Sequence, residues 1–203
     1  MSVGVKICGI TRVEDARAAI ESGVDMIGVN FYAPSPRSVL LARACEIRAA
    51  VGSSCKVIGV FVNASREFVS ECLREARLDM LQFHGDEPAS FLEGWPVPVI
   101  RAVRLKAGEP FAPASYASSI YVLVDTFHPG LYGGTGTKRS LADLRGIDLS
   151  RVFVSGGLNA DNVQEAVALS PYAVDVASGV ESAPGIKDHD QMRRFIRNAK
   201  SAR

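Results

Sequence analysis

Three observations predict an α/β chain of the (β/α)8 class, a TIM barrel with a closed, parallel, eight-stranded sheet and its helices outside. Eight short apolar runs recur along the 203 residues, and segments with helical spacing lie between them. No linker, low-complexity tract or shift of composition divides the chain. The barrel is therefore expected to span residues 1–203 as a single domain.

The runs predict strands at Val3–Cys8, Met26–Phe31, Lys56–Val62, Met80–Phe83, Val99–Arg104, Ile120–Asp125, Arg151–Ser155 and Val174–Ala177. Being apolar on both faces, they suit a parallel sheet that is covered on each side. After the first strand, "RVEDARAAIESG" sets Val13, Ala16, Ala19 and Ile20 on one helical face. After the third, "REFVSECLREARL" does the same with Phe68, Val69, Cys72 and Leu73. Thr11 and Glu14 have the spacing of a capping box, and Asp188 with Gln191 repeats it before the last helix. Two segments are weaker helices: "EPASFLEG" is short and "APASYASS" barely periodic. The competing architecture, a doubly wound open sheet, announces a nucleotide by G-x-G-x-x-G after its first strand, and "CGITRVED" is not that pattern. At about 25 residues per unit, such a barrel has little room for insertions.

The bulk numbers narrow the function classes. Hydrophobic content of 47% with 22% charge is ordinary globular composition. Lys+Arg 23 against Asp+Glu 22 leaves a formal charge of +1, with the arginines scattered, so no nucleic-acid surface is expected. There is no signal-like start and no run of the roughly 18 apolar residues that a membrane span requires. A cytoplasmic protein is the expectation. Cys8, Cys45, Cys55 and Cys72 form no Cys-x-x-Cys pair, which argues against disulfides and a zinc site.

In a barrel, functional residues gather at the carboxyl ends of the strands. Cys8 ends the first strand, Asp125 the sixth, Ser155-Gly156-Gly157 the seventh and Ala177-Ser178-Gly179 the eighth. Glycines there let backbone N–H groups approach a phosphate that side chains would keep away, and a short following helix adds its dipole. Asp125 shares a strand face with Tyr121 and Leu123. A carboxylate so placed is a helix cap, an ion-pair partner, or a general acid whose pKa burial raises. The segment "YGGTG", residues 132–136, reads as a flap able to close over it. Cys8 alone has the bland reading of a small buried hydrophobe. Lys6 lies on its strand face about 7 Å away, and its charge, with a helix N-terminus nearby, would favour a thiolate. Gly9 then reads as clearance for a sugar beside the thiol.

Taken together, "VKICGIT" (5–11), "SPRS" (35–38), "GVFVN" (59–63), "LQFHGDE" (81–87), "VDT" (124–126) with "YGGTG", "SGGLNADNV" (155–163) and "DVASGVESAPGIKD" (175–188) resemble the successive signatures of the phosphoribosylanthranilate isomerases of tryptophan biosynthesis. The resemblance covers nearly the whole chain, in order. It implies a (β/α)8 barrel and an Amadori rearrangement of N-(5-phosphoribosyl)anthranilate to 1-(2-carboxyphenylamino)-1-deoxyribulose 5-phosphate, with no cofactor and no metal. It further implies Asp125 as the acid that opens the furanose ring and Cys8 as the base that takes the C2 proton. Arg37 would meet the anthranilate carboxylate, and Gly156, Gly157, Ser178 and Gly179 the phosphate. His84 belongs to the signature but reads as a hydrogen-bonded structural residue. Asp86, Glu87, Asp161 and Asn162 read as helix-start residues. Two departures stand out. Arg139, Ser140 and Leu141 replace the usual Phe-Asp-Trp after G-G-T-G, which changes an aromatic wall near the substrate, and Ala177 replaces a frequent serine.

Other readings fit less well. The related histidine-pathway isomerases look to use two aspartates and two phosphate sites, whereas this chain has Cys8 and one glycine pair; a dual-substrate enzyme stays an open alternative. An idle sugar-phosphate-binding barrel would have no use for both proton-transfer groups, and a thiol redox protein leaves the glycine loops unexplained. The expected partner is a phosphorylated small molecule, not a nucleic acid or a membrane, and the expected state a monomer or homodimer.

Overall fold

The structure, a computed structural model, describes residues 2–105, 111–113, 120–126 and 141–201. Eight strands close into a parallel barrel in chain order: β1 (Gly4–Cys8), β2 (Met26–Asn30), β3 (Lys56–Phe61), β4 (Met80–Phe83), β5 (Val99–Leu105), β6 (Ile120–Thr126), β7 (Val152–Val154) and β8 (Ala173–Val176). Each begins and ends within one residue of the expected span. The β1–β8 ladder that closes the barrel pairs Lys6 with Asp175 and Ile7 with Val176.

Around the barrel lie α1 (Val13–Glu21), α2 (Leu41–Val51), α3 (Arg66–Glu75), α4 (Val163–Val167) and α5 (His189–Ser201). Their ends follow ordinary capping chemistry. Ser65 accepts from the Phe68 N–H to start α3, and Asp188 accepts from the N–H groups of Asp190 and Gln191 to start α5. The expected capping box of α1 is not formed. Arg12 is the cap residue, and Thr11 instead donates its hydroxyl to the Gly185 carbonyl. The weak segment "EPASFLEG" is only a 3₁₀ turn, Ala89–Leu92, and "APASYASS" lies mostly outside the described residues. A hairpin, β9 (Glu181–Ala183) with β10 (Ile186–Lys187), follows β8 and has no counterpart among the predicted elements.

The two-residue period of the strands divides the core. Val5, Ile7, Leu81, Phe83, Val122, Val124, Val174 and Val176 face the helices. The lumen holds a smaller apolar cluster of Met26, Ile58, Met80, Ile100, Ala102, Leu123, Phe153 and Ala173, against which Tyr121 and Tyr172 pack. On the same inward parity, toward the carboxyl ends, the side chains turn polar: Lys6, Gln82, His84, Asp125 and Asp175 are all buried. An apolar plug below and polar groups above is what a barrel needs to hold chemistry at one face only. Among the described residues, no helix is long and apolar enough to cross a membrane.

Candidate active site

A cleft of about 740 Å³, counted with its open mouth, lies at the carboxyl ends of the strands. Cys8, Arg37, Asp125, Gly156, Gly157, Ser178 and Gly179 all line it, so every predicted site residue is brought together.

Cys8 stands half-buried at the end of β1, opposite Gly28 of β2. A Cβ at Gly28 would lie 2.9 Å from the Cys8 sulfur and 3.3 Å from the Lys6 Nζ, so the glycine makes room for both groups. Lys6 is fully buried and donates to Asp175 Oδ1 at 2.8 Å. Burial works against its ammonium, but Asp175 holds the lysine above its ordinary pKa. Burial pushes the Cys8 thiol up, with Lys6 and Lys187 pulling the other way. The expected influence of Lys6 is therefore present in direction, while desolvation sets the net shift.

Arg37 comes from the loop between β2 and α2. Its Nε and Nη2 grip both oxygens of Glu181 at 2.7–3.2 Å, which leaves Nη1 without an acceptor among the described residues. The Glu181 hydrogen bonds raise the arginine above its usual value. Gly9 has φ +73°, and a Cβ there would meet Arg37 Cδ at 2.6 Å. Its clearance therefore serves the arginine side chain, and the glycine also lines the cleft.

Asp125 is buried on β6, and neighbouring Ser155 secures the top of β7 by donating its hydroxyl to the Val124 carbonyl at 2.8 Å. His84 Nε2 is 3.5 Å from Asp125 Oδ2, and His84 Nδ1 meets Gln82 Nε2 at 3.3 Å. His84 Nε2 and Gln82 Oε1 are buried without a hydrogen-bond partner. The structural reading of His84 thus covers one ring nitrogen only.

The glycine loops are shaped by close packing. Gly156 and Gly157 both have positive φ, 94° and 67°. A Cβ at Gly179 would sit 1.9 Å from the Leu158 carbonyl oxygen, so this glycine lets the loops after β7 and β8 touch. The backbone N–H groups of Gly156, Gly157, Ser178 and Gly179 have no acceptor among the described residues. Asn162 is the cap residue of α4 but makes no side-chain capping bond; its amide donates to the Gly157 carbonyl, and Asn159 Oδ1 accepts from the N–H groups of Asp161 and Asn162 in the turn before the helix. Asp161 pairs with Arg194.

Glu87 corrects another expectation. It starts no helix; it is buried, accepts from the Asn63 N–H and pairs with Arg101 at 2.9 Å. Asp86 takes the Asn63 side-chain oxygen on its N–H, and the cap residue of the following 3₁₀ turn is Pro88. Gln82, Asp175, Glu181 and Lys187 escaped the sequence-based selection. Polar residues on the inward parity of β4 and β8 were the available signal for the first two; the hairpin that carries the others left no periodic trace. The flap 132–136, Arg139 and Ser140 lie outside the described residues, while Leu141 opens a 3₁₀ turn, Leu141–Leu144. No group of three or more His, Cys, Asp or Glu residues converges as metal ligands would among the described residues.

The chain matches, over residues 5–198, the sequence model described as PRAI, N-(5'phosphoribosyl)anthranilate (PRA) isomerase. It is 48% identical over 198 residues to the N-(5'-phosphoribosyl)anthranilate isomerase of Pseudomonas fluorescens (strain Pf0-1), covering 96% of this chain and 97% of that one. Among solved structures it is similar to the phosphoribosyl anthranilate isomerase of Thermus thermophilus, with TM-score 0.89, 36% identity and coverage of 99% and 100%. It is also similar to an isomerase in complex with reduced 1-(o-carboxyphenylamino)-1-deoxyribulose 5-phosphate, with TM-score 0.82, 36% identity and 98% of each chain.

Proposed function

The chain belongs to the N-(5'-phosphoribosyl)anthranilate isomerase family of tryptophan biosynthesis, and we propose that it runs the rearrangement on two of its own side chains, Asp125 as acid and Cys8 as base. The observation that carries this assignment is the meeting of both residues, from β6 and β1, in one cleft with Arg37 and the glycine loops. The substrate's phosphate lies against the N–H groups of Gly156, Gly157, Ser178 and Gly179. Its ring carboxylate meets the free edge of Arg37.

With the substrate so held, Asp125 gives its proton to the furanose oxygen. The C1–O bond breaks and the anilino nitrogen supplies the electron pair of an iminium. The Cys8 thiolate then removes the C2 proton, and those electrons form the C1–C2 double bond of an enolamine. Loss of the C2 hydroxyl proton and gain of one at C1 leave the aminoketose. Each move is a proton transfer and the sum is redox-neutral, so the partner required is the phosphorylated substrate alone. A sugar-phosphate binder without turnover would need neither group.

Positioned proton transfer contributes about 10²- to 10⁴-fold for each group. Cys8→Ser and Asp125→Asn are each expected to lower kcat by that factor while the reduced product analogue still binds. Loss of anthranilate-type fluorescence on adding fresh substrate reads the rate. Full activity in both variants would sink the assignment, and a wild-type chain without turnover would sink the function.

A further inference from the structure

Lys187 is a buried cation that the proton transfers leave unused. Its side chain is fully enclosed, and its Nζ donates to Glu181 Oε1 at 2.7 Å and to the Ala177 carbonyl at 3.1 Å. Its backbone N–H donates to Asp15 Oδ2, which fastens β10 to α1. At the hairpin tip, Gly185 has φ +81°, a Cβ there would crowd the Pro36 carbonyl at 3.2 Å, and Thr11 donates to the Gly185 carbonyl. The hairpin is thus seated on the loops after β1 and β2, and Glu181 reaches Arg37 from it.

The charges decide what this arrangement can bind. Arg37 spends its Nε–Nη2 edge on Glu181, and a single Arg–Glu pair is neutral overall. An incoming carboxylate would meet a guanidinium already compensated, next to a carboxylate that repels it. Lys187 removes that repulsion, because two cations on one anion leave a net positive charge. The other buried pair near the thiol, Lys6 with Asp175, is balanced within itself. Burial pulls the Lys187 ammonium below its ordinary range, against Glu181, which itself is held below the usual carboxylate range by Arg37 and Lys187 despite its burial.

We propose that Lys187 is a positioning residue for recognition of the substrate's ring carboxylate: it fixes Glu181, and by neutralising it leaves the charge of Arg37 for the ligand. The same ammonium, through the Ala177 carbonyl, ties this subsite to the loop that opens at Ser178, so carboxylate and phosphate ends are held in one register. The inference rests on the assignment of Arg37 made above.

The test compares binding of two stable probes, the reduced product analogue and its counterpart lacking the ring carboxylate. Lys187→Met is expected to weaken the first about tenfold, the scale of one charge-assisted contact, and to leave the second within about twofold. Lys187→Arg should restore most of the loss, and Lys187→Met should add nothing once Arg37→Ala is in place. Glu181→Gln, which keeps the shape and drops the charge, covers a Met variant that fails to fold: it should retain the preference for the carboxylate-bearing probe. Equal weakening of both probes in Lys187→Met, or a lowered melting temperature with both affinities intact, would overturn the proposal. If Arg37→Ala keeps the full preference for the carboxylate-bearing probe, the assignment of Arg37 falls and the inference with it.

Discussion

The two walls of the cleft are built on opposite plans. Along β1, β8 and the hairpin, every charged side chain has its partner: Lys6 with Asp175, and Arg37 and Lys187 with Glu181, all at 2.7–2.8 Å. Along β4 and β6, Gln82 Oε1 and His84 Nε2 are buried without partners, and the 3.5 Å between His84 and Asp125 is longer than a good hydrogen bond. Buried charge is tolerable only when paired, so the ionisation proposed for the Cys8 thiol calls for a finished wall around it. A buried neutral atom left unpaired costs less, and in a cleft it marks where a ligand completes the bonding. On the roles proposed above, the wall that carries Cys8 is paired throughout, whereas the wall of Gln82 and His84 keeps bonding capacity for a ligand.

Lys6→Met strikes the finished wall hardest. It strands Asp175 in the lumen, and breaking a buried pair from one side costs about 3–5 kcal/mol, read as a fall in the denaturation midpoint. It also removes a charge that favours the thiolate. The sign follows: the Cys8 thiol, already raised by burial, rises further, and its alkylation needs a higher pH to reach half its maximal rate. An unmoved alkylation profile would show that Lys6 only fills space. Gly28→Ala comes next, because its methyl would stand 2.9 Å from the Cys8 sulfur. Overpacking of this kind costs about 1–3 kcal/mol, and displacement of the sulfur should lower kcat more than it changes KM.

The same contrast explains what was legible beforehand. Strand positions follow from short apolar runs, a local signal, and so does the placing of Cys8, Asp125 and the glycine pairs at strand ends. Pairings between distant segments leave no such trace. Glu181 meets Arg37 across 144 residues of sequence, and Lys187 sits on a hairpin of three- and two-residue strands too short for any period to show. Thr11 and Glu14 have the local spacing of a cap, yet the hairpin's Gly185 carbonyl takes the Thr11 hydroxyl, a tertiary contact winning over a local rule. Glu87 misled for the same reason, since its partners Asn63 and Arg101 come from the loops and strands on either side. Gly9 and Gly179 were legible as glycines near a site, but the groups they clear, Arg37 and the Leu158 carbonyl, only the fold supplies.

The unfinished wall yields the smallest stability effect and the sharpest contrast. The His84 side chain makes one hydrogen bond, at 3.3 Å to Gln82, and its Nε2 stands 3.5 Å from Asp125 without one, so His84→Gln removes little that holds the folded chain together. The expected cost is under about 1 kcal/mol, the net worth of one neutral hydrogen bond. Activity should respond differently. If the Gln82 amide donates to Nδ1, the neutral ring carries its proton on Nε2, which points toward Asp125 and the cleft. That proton can orient the carboxyl or meet a substrate hydroxyl only once the ligand draws the groups together. Loss of such a contact predicts about a tenfold fall in kcat/KM, with the melting temperature nearly unchanged, the reverse of the balance expected for Lys6→Met. A large stability loss with intact kinetics would place His84 among the preassembled groups and erase the distinction between the two walls.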